Sequence, residues 1–410
     1  MNLTSRKNYV LLSAFDFLYL FSWSATMSFF VIWTTQHLGI SATNIGIIYS
    51  INAMIALLMQ PIFGYISDKL GLKKRLVWFL ILLLLPVGPF FIYVYAPLLV
   101  NAFWVGAVLG GVYLGIIFNT GCGVIDSYLD KVSRRYEFEY GRVRMWGSLG
   151  WAFATWLTGK YIDSNPDIPF WMGSIAILLA GFCFLFTRID LTKDEVNATE
   201  SLKVVNALEL LKNKQFWMLM IFMLFVNQIY DTYDQQFAQY FSMQFTTRAE
   251  GNHWFGVLGS IQVCFETVFL AIVPFFVNRI GAKKALILAG TIMTARILGS
   301  AIELGPIWIA SMKMAHAIEK PLIVVSLFKF IAANFDNKLS STVYLLMLFS
   351  ASLATTIYSP LAGYLYDSVG FVNAYIIFGS IAGTFTIFSS IMLEDKDKKR
   401  AKPYSESTPA

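Results

Sequence analysis

Apolar stretches of about 20 residues recur from one end of this chain to the other, and each is long enough to cross the hydrocarbon core of a bilayer. Only 14% of the 410 residues are charged and 16% are aromatic, whereas an ordinary soluble domain has about 25% charged residues. The sequence therefore predicts an all-α polytopic membrane protein. A secreted disulfide scaffold, a soluble enzyme with one anchor and a disordered chain are excluded.

The apolar stretches predict about twelve spanning helices in two groups of six. Residues 188–214 form the longest polar connection and are predicted to be a cytoplasmic linker. The predicted domains are an N-terminal six-helix bundle over 1–187, a C-terminal six-helix bundle over 215–393 and a cytoplasmic tail over 394–410. The predicted spans are 9–34, 43–67, 75–99, 102–129, 142–162, 167–187, 215–243, 254–278, 284–304, 306–330, 340–365 and 370–393.

The basic residues predict the orientation of these spans. One set of alternate connections is rich in Lys and Arg at residues 69–75, 131–135, 193–214 and 279–284, and the opposite set holds few. By the positive-inside rule, both termini are cytoplasmic. The net charge of +6 is then an orientation signal, so the bilayer and not a nucleic acid is the expected partner. The predicted location is a bacterial-type inner or plasma membrane.

A short phrase at the end of one span is repeated elsewhere in the chain. The phrase that runs from Pro61 through Gly64 and Asp68 to Gly71 returns after Pro274, and again after Pro360 without its basic residues. Six plus six spans with this loop motif are typical of the major facilitator superfamily. In that fold each half contains inverted repeats, which explains why a copy on the outer face lacks positive charge.

Several ionisable residues lie inside predicted spans, where each costs roughly 2.5–3.5 kcal/mol on insertion scales. Lys313, His316 and Glu319 follow one another at single helical turns in the tenth span. An imidazole beside a carboxylate in this setting is suited to a proton relay, and the alternative is a set of structural ion pairs. The other such groups are Asp16, Asp126, Arg144, Asp231, Asp234, Glu266, Arg296 and Glu303.

The N-terminal half carries a carboxylate and a guanidinium suited to adjacent sugar hydroxyls. Asp126 can accept hydrogen bonds and Arg144 offers a rigid fork of donors. Trp151 follows Arg144 by seven residues, which places both on one face of a helix. Its indole can stack on a pyranose ring, or it can serve as ordinary helix packing.

Long motifs resemble the oligosaccharide:proton symporters of the major facilitator superfamily, the group of the lactose and sucrose permeases. They include the segments 138–147 (Phe-Glu-Tyr-Gly-Arg-Val-Arg-Met-Trp-Gly), 230–236 (Tyr-Asp-Thr-Tyr-Asp-Gln-Gln) and 313–319 (Lys-Met-Ala-His-Ala-Ile-Glu). The resemblance covers nearly the whole chain. It implies proton-coupled import of a disaccharide or small oligosaccharide by alternating access, and a monomer.

The resemblance also implies residue roles. Asp126, Arg144 and Trp151 match the sugar-binding residues of the group. Glu319 matches the carboxyl group that takes and releases the proton, and Arg296, His316 and Tyr230 match the residues that act with it. Lys313 and Asp234 match a charge pair between the seventh and tenth helices.

Departures from the lactose permease bear on the sugar. Cys122, Gln262 and Glu266 resemble the sucrose permease and are predicted to contact substrate, whereas Trp151 resembles the lactose permease. The prediction favours sucrose or a related glucoside, with lactose, melibiose and raffinose as alternatives.

One acidic residue has lost the partner that the resemblance implies. Ser352 stands where the lactose permease has a lysine in the eleventh helix, which leaves Asp231 unpaired. Two alternatives remain open at this point: Asp231 is neutral, or it pairs with Lys313.

The remaining function classes are weaker. A P-loop pump is excluded because the sequence G-x-x-x-x-G-K-[ST] is absent. No cofactor or metal is expected, and the proton is the coupling ion. An efflux antiporter for drugs or sugars is the alternative within transport, but it would have a more apolar cavity than Asp126 and Arg144 provide. A membrane enzyme would need a metal or nucleophile cluster, and a receptor would not explain His316 beside Glu319.

Overall fold

The structure is a computed structural model that describes residues 3–189, 212–335 and 337–394. Most of the predicted linker and nearly all of the predicted tail lie outside these ranges. The described residues are helical apart from short connections. The principal helices are α1 Leu3–Met27, α2 Ala42–Leu70, α3 Arg75–Leu84, α4 Phe103–Leu114, α5 Gly121–Arg135, α6 Tyr140–Tyr161, α7 Ile168–Leu185, α8 Lys214–Phe222, α9 Gln228–Gln235, α10 Arg248–Ile280, α11 Ala282–Ser300, α12 Pro306–Met314, α13 His316–Asn334 and α14 Asn337–Met392. Shorter helical segments are Phe30–Ile32, Val87–Pro89, Ala96–Asn101 and Phe237–Ser242.

Several helices are suited to crossing a membrane. Among the described residues, 6 helical stretches are long and apolar enough to do so by length and composition, or up to 7 if one bent pair is a single span. Some predicted spans do not meet this criterion of length and composition. They include α6 and α11, which carry Arg144 and Arg296, and the broken stretch α8–α9. The count of twelve spans stays a prediction.

Two stretches widen locally into π-helical turns just before residues of interest. Gly115–Thr120 precedes α5, which carries Asp126, and Met223–Asn227 precedes α9, which carries Asp231 and Asp234. Such turns are rare and occur often at functional sites. A third irregularity is the break between α12 and α13, immediately before His316.

The three copies of the repeated phrase share a backbone feature. Gly71, Gly281 and Gly370 have φ of 56°, 87° and 80°, in the left-handed region that favours glycine. Each glycine ends one helical stretch before the next begins. At Gly370 this turn divides α14 where the sequence predicts two spans.

Hydrogen bonds join the N-terminal half (residues 3–189) to the C-terminal half (residues 212–394) at one face. The Asp367 carboxylate accepts from the backbone N–H groups of Ala42 and Thr43, at 3.1 and 2.7 Å. The Asn252 amide donates to Gln36 Oε1 at 2.9 Å and to Asp163 Oδ1 at 2.8 Å. We call this the closed face.

Glycines let the helices meet at the closed face. A Cβ added at Gly363 would lie 2.2 Å from the Ala42 carbonyl oxygen, and one at Gly46 would lie 2.1 Å from that of Ser359. In contrast, a Cβ at Gly64 would have no atom within 4 Å. Gly64 is near the other end of α2, beside the basic connection at 69–75. We call that end the open face, and the positive-inside prediction makes it cytoplasmic.

Candidate functional site

The N-terminal half brings three predicted polar residues together on α5 and α6. Arg144 Nε lies 3.6 Å from Asp126 Oδ1, and the Cys122 thiol donates to Asp126 Oδ2 at 3.5 Å. The Arg144 and Asp126 side chains are 34% and 31% exposed. Because a charged group in mid-helix is very costly against lipid, this exposed surface faces the space between the halves.

Asp16 on α1 is a second acid beside Arg144. Its Oδ2 lies 3.9 Å from Arg144 Nη1, and its side chain is 1% exposed. Among the described residues, neither of these two atoms has a hydrogen-bond partner. Arg144 therefore lies between two carboxylates, and its Nη1 is a buried donor beside the buried Asp16.

Trp151 lies on α6 between the Arg144 level and the closed face. Its indole is half-buried and packs edge to face on Trp23, with ring centroids 5.6 Å apart. Helix packing therefore explains the buried part of the Trp151 indole. Its stacking on a sugar stays a prediction.

Arg296 is the centre of the network in the C-terminal half. Its Nη1 donates to the Tyr230 hydroxyl at 2.6 Å and pairs with Glu319. Its Nη2 donates to Asp234 Oδ1 at 3.1 Å. The guanidinium carbon also lies 4.6 Å from the centroid of the Tyr230 ring. Arg296 and Glu319 are 1% and 0% exposed, so the pair is fully removed from water.

His316 and Lys313 complete this network. His316 Nδ1 contacts the Tyr230 hydroxyl and lies 3.3 Å from Glu319 Oε1. Lys313 Nζ donates to both carboxylate oxygens of Asp234, at 2.7 and 3.0 Å. The structure therefore brings together the residues for which the sequence predicts proton coupling and the predicted charge pair.

The network is balanced in charge. With His316 neutral, the positive charges of Arg296 and Lys313 equal the negative charges of Asp234 and Glu319. Buried charges are tolerated when they are paired. Protonation of Glu319 would remove its ion pair and leave an excess positive charge, so its protonation state must affect the arrangement of the whole network.

The two halves meet in a defined register between α6 and α10. The Ser260 hydroxyl on α10 donates to the Ala152 carbonyl on α6 at 2.7 Å. Arg144 lies eight residues and Glu266 six residues from this contact, both toward the open face. At about 1.5 Å per residue these offsets are about 12 and about 9 Å. Arg144 and Glu266 therefore lie at similar depth on facing helices.

The other residues predicted on α10 and in the loop motif have different surroundings. Gln262 is buried, at 6% exposed, whereas Glu266 is half-buried. Gly64 has free space where a Cβ would lie, and Gly71 caps the C-terminus of α2. The side chain of Asp68 lies outside the described residues. In the described part of the chain, no group of three or more His, Cys, Asp and Glu residues could hold a metal ion.

Comparison with known proteins identifies the family. The family model described as LacY proton/sugar symporter matches residues 1–405. The chain belongs to the LacY proton/sugar symporter family. The resemblance seen in the sequence is thereby confirmed. The protein is a multi-pass membrane transporter and not an enzyme.

Several permeases are similar to this chain along most of their length. The raffinose permease of Escherichia coli is 39% identical over 393 residues, which are 92% of this chain and 91% of the relative. The lactose permease of Citrobacter freundii is 39% identical over 380 residues, 90% of each chain. The sucrose permease of Escherichia coli is 36% identical over 388 residues, 94% of this chain and 93% of the relative.

Solved structures support the fold. The nucleoside transporter NupG has a TM-score of 0.77 at 16% identity, covering 96% of this chain and 100% of that chain. The helical architecture of a major facilitator transporter, predicted from the sequence, is confirmed.

The partner of Asp231 is a correction to the sequence analysis. In this LacY-family chain Lys313 pairs with Asp234, and Lys320 Nζ lies 3.6 Å from Asp231 Oδ1. The predicted alternative in which Asp231 pairs with Lys313 is therefore wrong. The Asn227 amide also donates to Asp231 Oδ2 at 3.1 Å. The sequence did contain a signal for Lys320, since it is a charged residue inside the tenth predicted span.

Proposed function

We propose that this protein imports a disaccharide or small oligosaccharide together with a proton. The observation that carries the proposal is the buried network in which Arg296 pairs with Glu319 and both contact His316. A transporter driven by a proton gradient needs a group, such as this carboxyl group, that can lose and gain a proton away from bulk water. Membership of a proton/sugar symporter family supports the same reading.

Sugar recognition is assigned to the space between the halves. Asp126 accepts hydrogen bonds from sugar hydroxyls, and Arg144 donates to neighbouring oxygens. Cys122 borders the same carboxylate. The similar depth of Glu266 on the facing helix supports binding of the sugar by both halves at once. Gln262 lies one turn from Glu266 on the same helix, and Trp151 is proposed to stack on the sugar ring.

Transport then follows alternating access. Glu319 is protonated from the outside, sugar binds between the halves, and the halves rock about the site to expose it inward. The sugar leaves, and the Glu319 proton follows as the carboxylate pairs again with Arg296. Coupling requires that the empty and the fully loaded carriers reorient while the singly loaded carrier does not.

The sugar itself is predicted as sucrose or a related glucoside. Permeases named for raffinose, sucrose and lactose lie within 36–39% identity of this chain, so overall similarity does not rank them. The sucrose preference rests on Glu266, Gln262 and Cys122. Both termini are proposed to be cytoplasmic, as the basic connections predict, and the working unit is proposed to be a monomer.

The test is uptake of radiolabelled sucrose, raffinose, melibiose and lactose into vesicles that contain the transporter, with and without an inward proton gradient. Gradient-driven accumulation of any of these sugars supports symport, and the ranking of their uptake identifies the substrate. Loss of preloaded sugar under the same gradient would instead indicate the efflux alternative. No gradient-dependent movement of any sugar would contradict the proposal.

A further inference from the structure

Lys320 lies next to the proton-carrying residue in sequence but in different surroundings. Glu319 is 0% exposed, whereas the Lys320 side chain is 35% exposed. Successive helical residues point about 100° apart, so one side of α13 carries the buried network and a neighbouring side carries Lys320. An ammonium with this much exposed surface in mid-helix does not face lipid. It faces the space between the halves.

Two carboxylates lie on helices next to this ammonium. Asp231 on α9 is 34% exposed and lies 3.6 Å from Lys320 Nζ. Glu266 is half-buried on α10, which packs against the helix that carries Lys320. Three helices of the C-terminal half thus contribute one ammonium and two carboxylates to the same wall.

This wall lies across from the Asp126–Arg144 pair. The Ser260–Ala152 hydrogen bond fixes Glu266 and Arg144 at similar depth on facing helices. The two walls have similar chemistry, since each combines a cation with partly exposed acids: Arg144 with Asp126, and Lys320 with Asp231 and Glu266. Such sets supply both donors and acceptors to a polyol.

We propose that Lys320, Asp231 and Glu266 form a second sugar subsite. It binds the hydroxyls of the sugar unit distal to the one held by Asp126 and Arg144, and it therefore sets the preference for oligosaccharides over single sugar units. The Lys320 ammonium donates to ring and hydroxyl oxygens, and the two carboxylates accept from hydroxyls. This inference rests on the proposed function and names the substrate class of that site.

The decisive variant is the double substitution Lys320→Met with Asp231→Asn. It removes both members of the ion pair and leaves the local net charge unchanged. Its KM for di- and trisaccharide uptake is expected to rise about tenfold or more, with little change in proton uptake per sugar at saturation. A merely structural ion pair would behave differently, because removing both partners would leave KM at the wild-type value.

Further variants control for folding and for charge. Lys284→Met removes an exposed lysine near the open face and is expected to leave KM unchanged. Lys320→Arg keeps the ion pair but changes its geometry, and is expected to alter the ranking among sucrose, raffinose and lactose. It supplies the test if the double variant fails to insert. Competition by methyl α-glucoside, a single sugar unit, should be little changed in every variant.

The outcomes separate this subsite from the general function. If the wild type transports sugar and neither the double variant nor Lys320→Arg alters KM or ranking, the subsite is wrong and symport stands. Loss of proton uptake at saturating sugar would also overturn the subsite, since it would place Lys320 in coupling. If the wild type moves no sugar, the proposed function fails first.

Discussion

Glu319 has no exposed surface, and Arg296 and His316 both contact it. The Tyr230 hydroxyl contacts these two residues in turn. Replacing Glu319 by Gln keeps the shape of the side chain but removes its negative charge and its ability to exchange a proton. We expect Glu319→Gln to lower proton-driven accumulation to the equilibrium level while sugar exchange between the two sides of the membrane continues.

The measurement is the ratio of internal to external sugar under a proton gradient, followed by exchange of preloaded label. Glu303→Gln is the matched control, since Glu303 is exposed in the described structure and accumulation should persist. Accumulation by Glu319→Gln at the wild-type level would remove Glu319 from the proton path.

Arg144 lies between two acids, 3.6 Å from Asp126 and 3.9 Å from Asp16. Lysine keeps the positive charge but lacks the planar fork that can donate to two oxygens at once. Hydrogen bonds to charged groups contribute about 1.5–3 kcal/mol. We therefore expect Arg144→Lys to weaken sugar binding by at least tenfold.

Equilibrium binding of radiolabelled sugar to the purified transporter measures this affinity. Arg144→Lys should reach half-saturation at a sugar concentration at least tenfold above that of the wild type. Arg142→Lys on the exposed side of the same helix is the control. Equal affinity in both variants would refute the site assignment.

At the level of elements, Asp367 on α14 caps the N-terminus of α2 from the other half of the molecule. Its carboxylate accepts from the N–H groups of Ala42 and Thr43 and from the Thr43 hydroxyl at 2.6 Å. A charged cap at a helix N-terminus is typically worth about 1 kcal/mol. Asp367→Asn should therefore weaken closure at this face several-fold.

The readout is alkylation by an impermeant maleimide, added from the closed face, of a cysteine introduced by Ser148→Cys one turn from Arg144 on α6, and the rate should rise several-fold. Asp130→Asn is the control, because Asp130 pairs with Arg134 within its own helix. An unchanged rate for Asp367→Asn would show that this cap does not hold the closed face together.

At the scale of the whole molecule, the surroundings of the repeated loop motif show which face is closed. Gly363 and Gly64 occupy the same position in two copies of it, yet only Gly363 lies against backbone of the other half. A leucine at Gly363 would separate the halves at the closed face. By the inverted-repeat relation, a leucine at Gly64 would instead hinder closure of the open face.

The two variants are therefore expected to shift the conformational equilibrium in opposite directions. In the Ser148→Cys background, Gly363→Leu should speed alkylation from the closed face, and Gly64→Leu should slow it below the rate of that background. Both should reduce transport, because each hinders one half of the cycle. A shift in the same direction for both would contradict a rocking motion about a central site.

The sequence predicts many of the site residues because ionisable residues inside apolar segments are easy to recognise and are energetically costly. Asp126, Arg144, Arg296 and Glu319 stand out since ionisable groups in apolar segments need a compensating reason. Lys320 is also an ionisable residue in an apolar segment. Its pairing with Asp231 depends on where α9 lies relative to α13. Spacing along one helix predicts which residues share a face, but not which residue of another helix they meet.

The amino-acid sequence by itself determined that this is a helical membrane protein and which family it resembles, and it predicts which basic connections share a face. These follow from hydrophobicity, charge and motif spacing, which act over a few residues at a time. Tertiary structure alone decided the closed face, the two π turns ahead of the site, and the partner of Asp231. Each of these depends on contacts between segments far apart in the chain, where packing and ion pairing outweigh local preference.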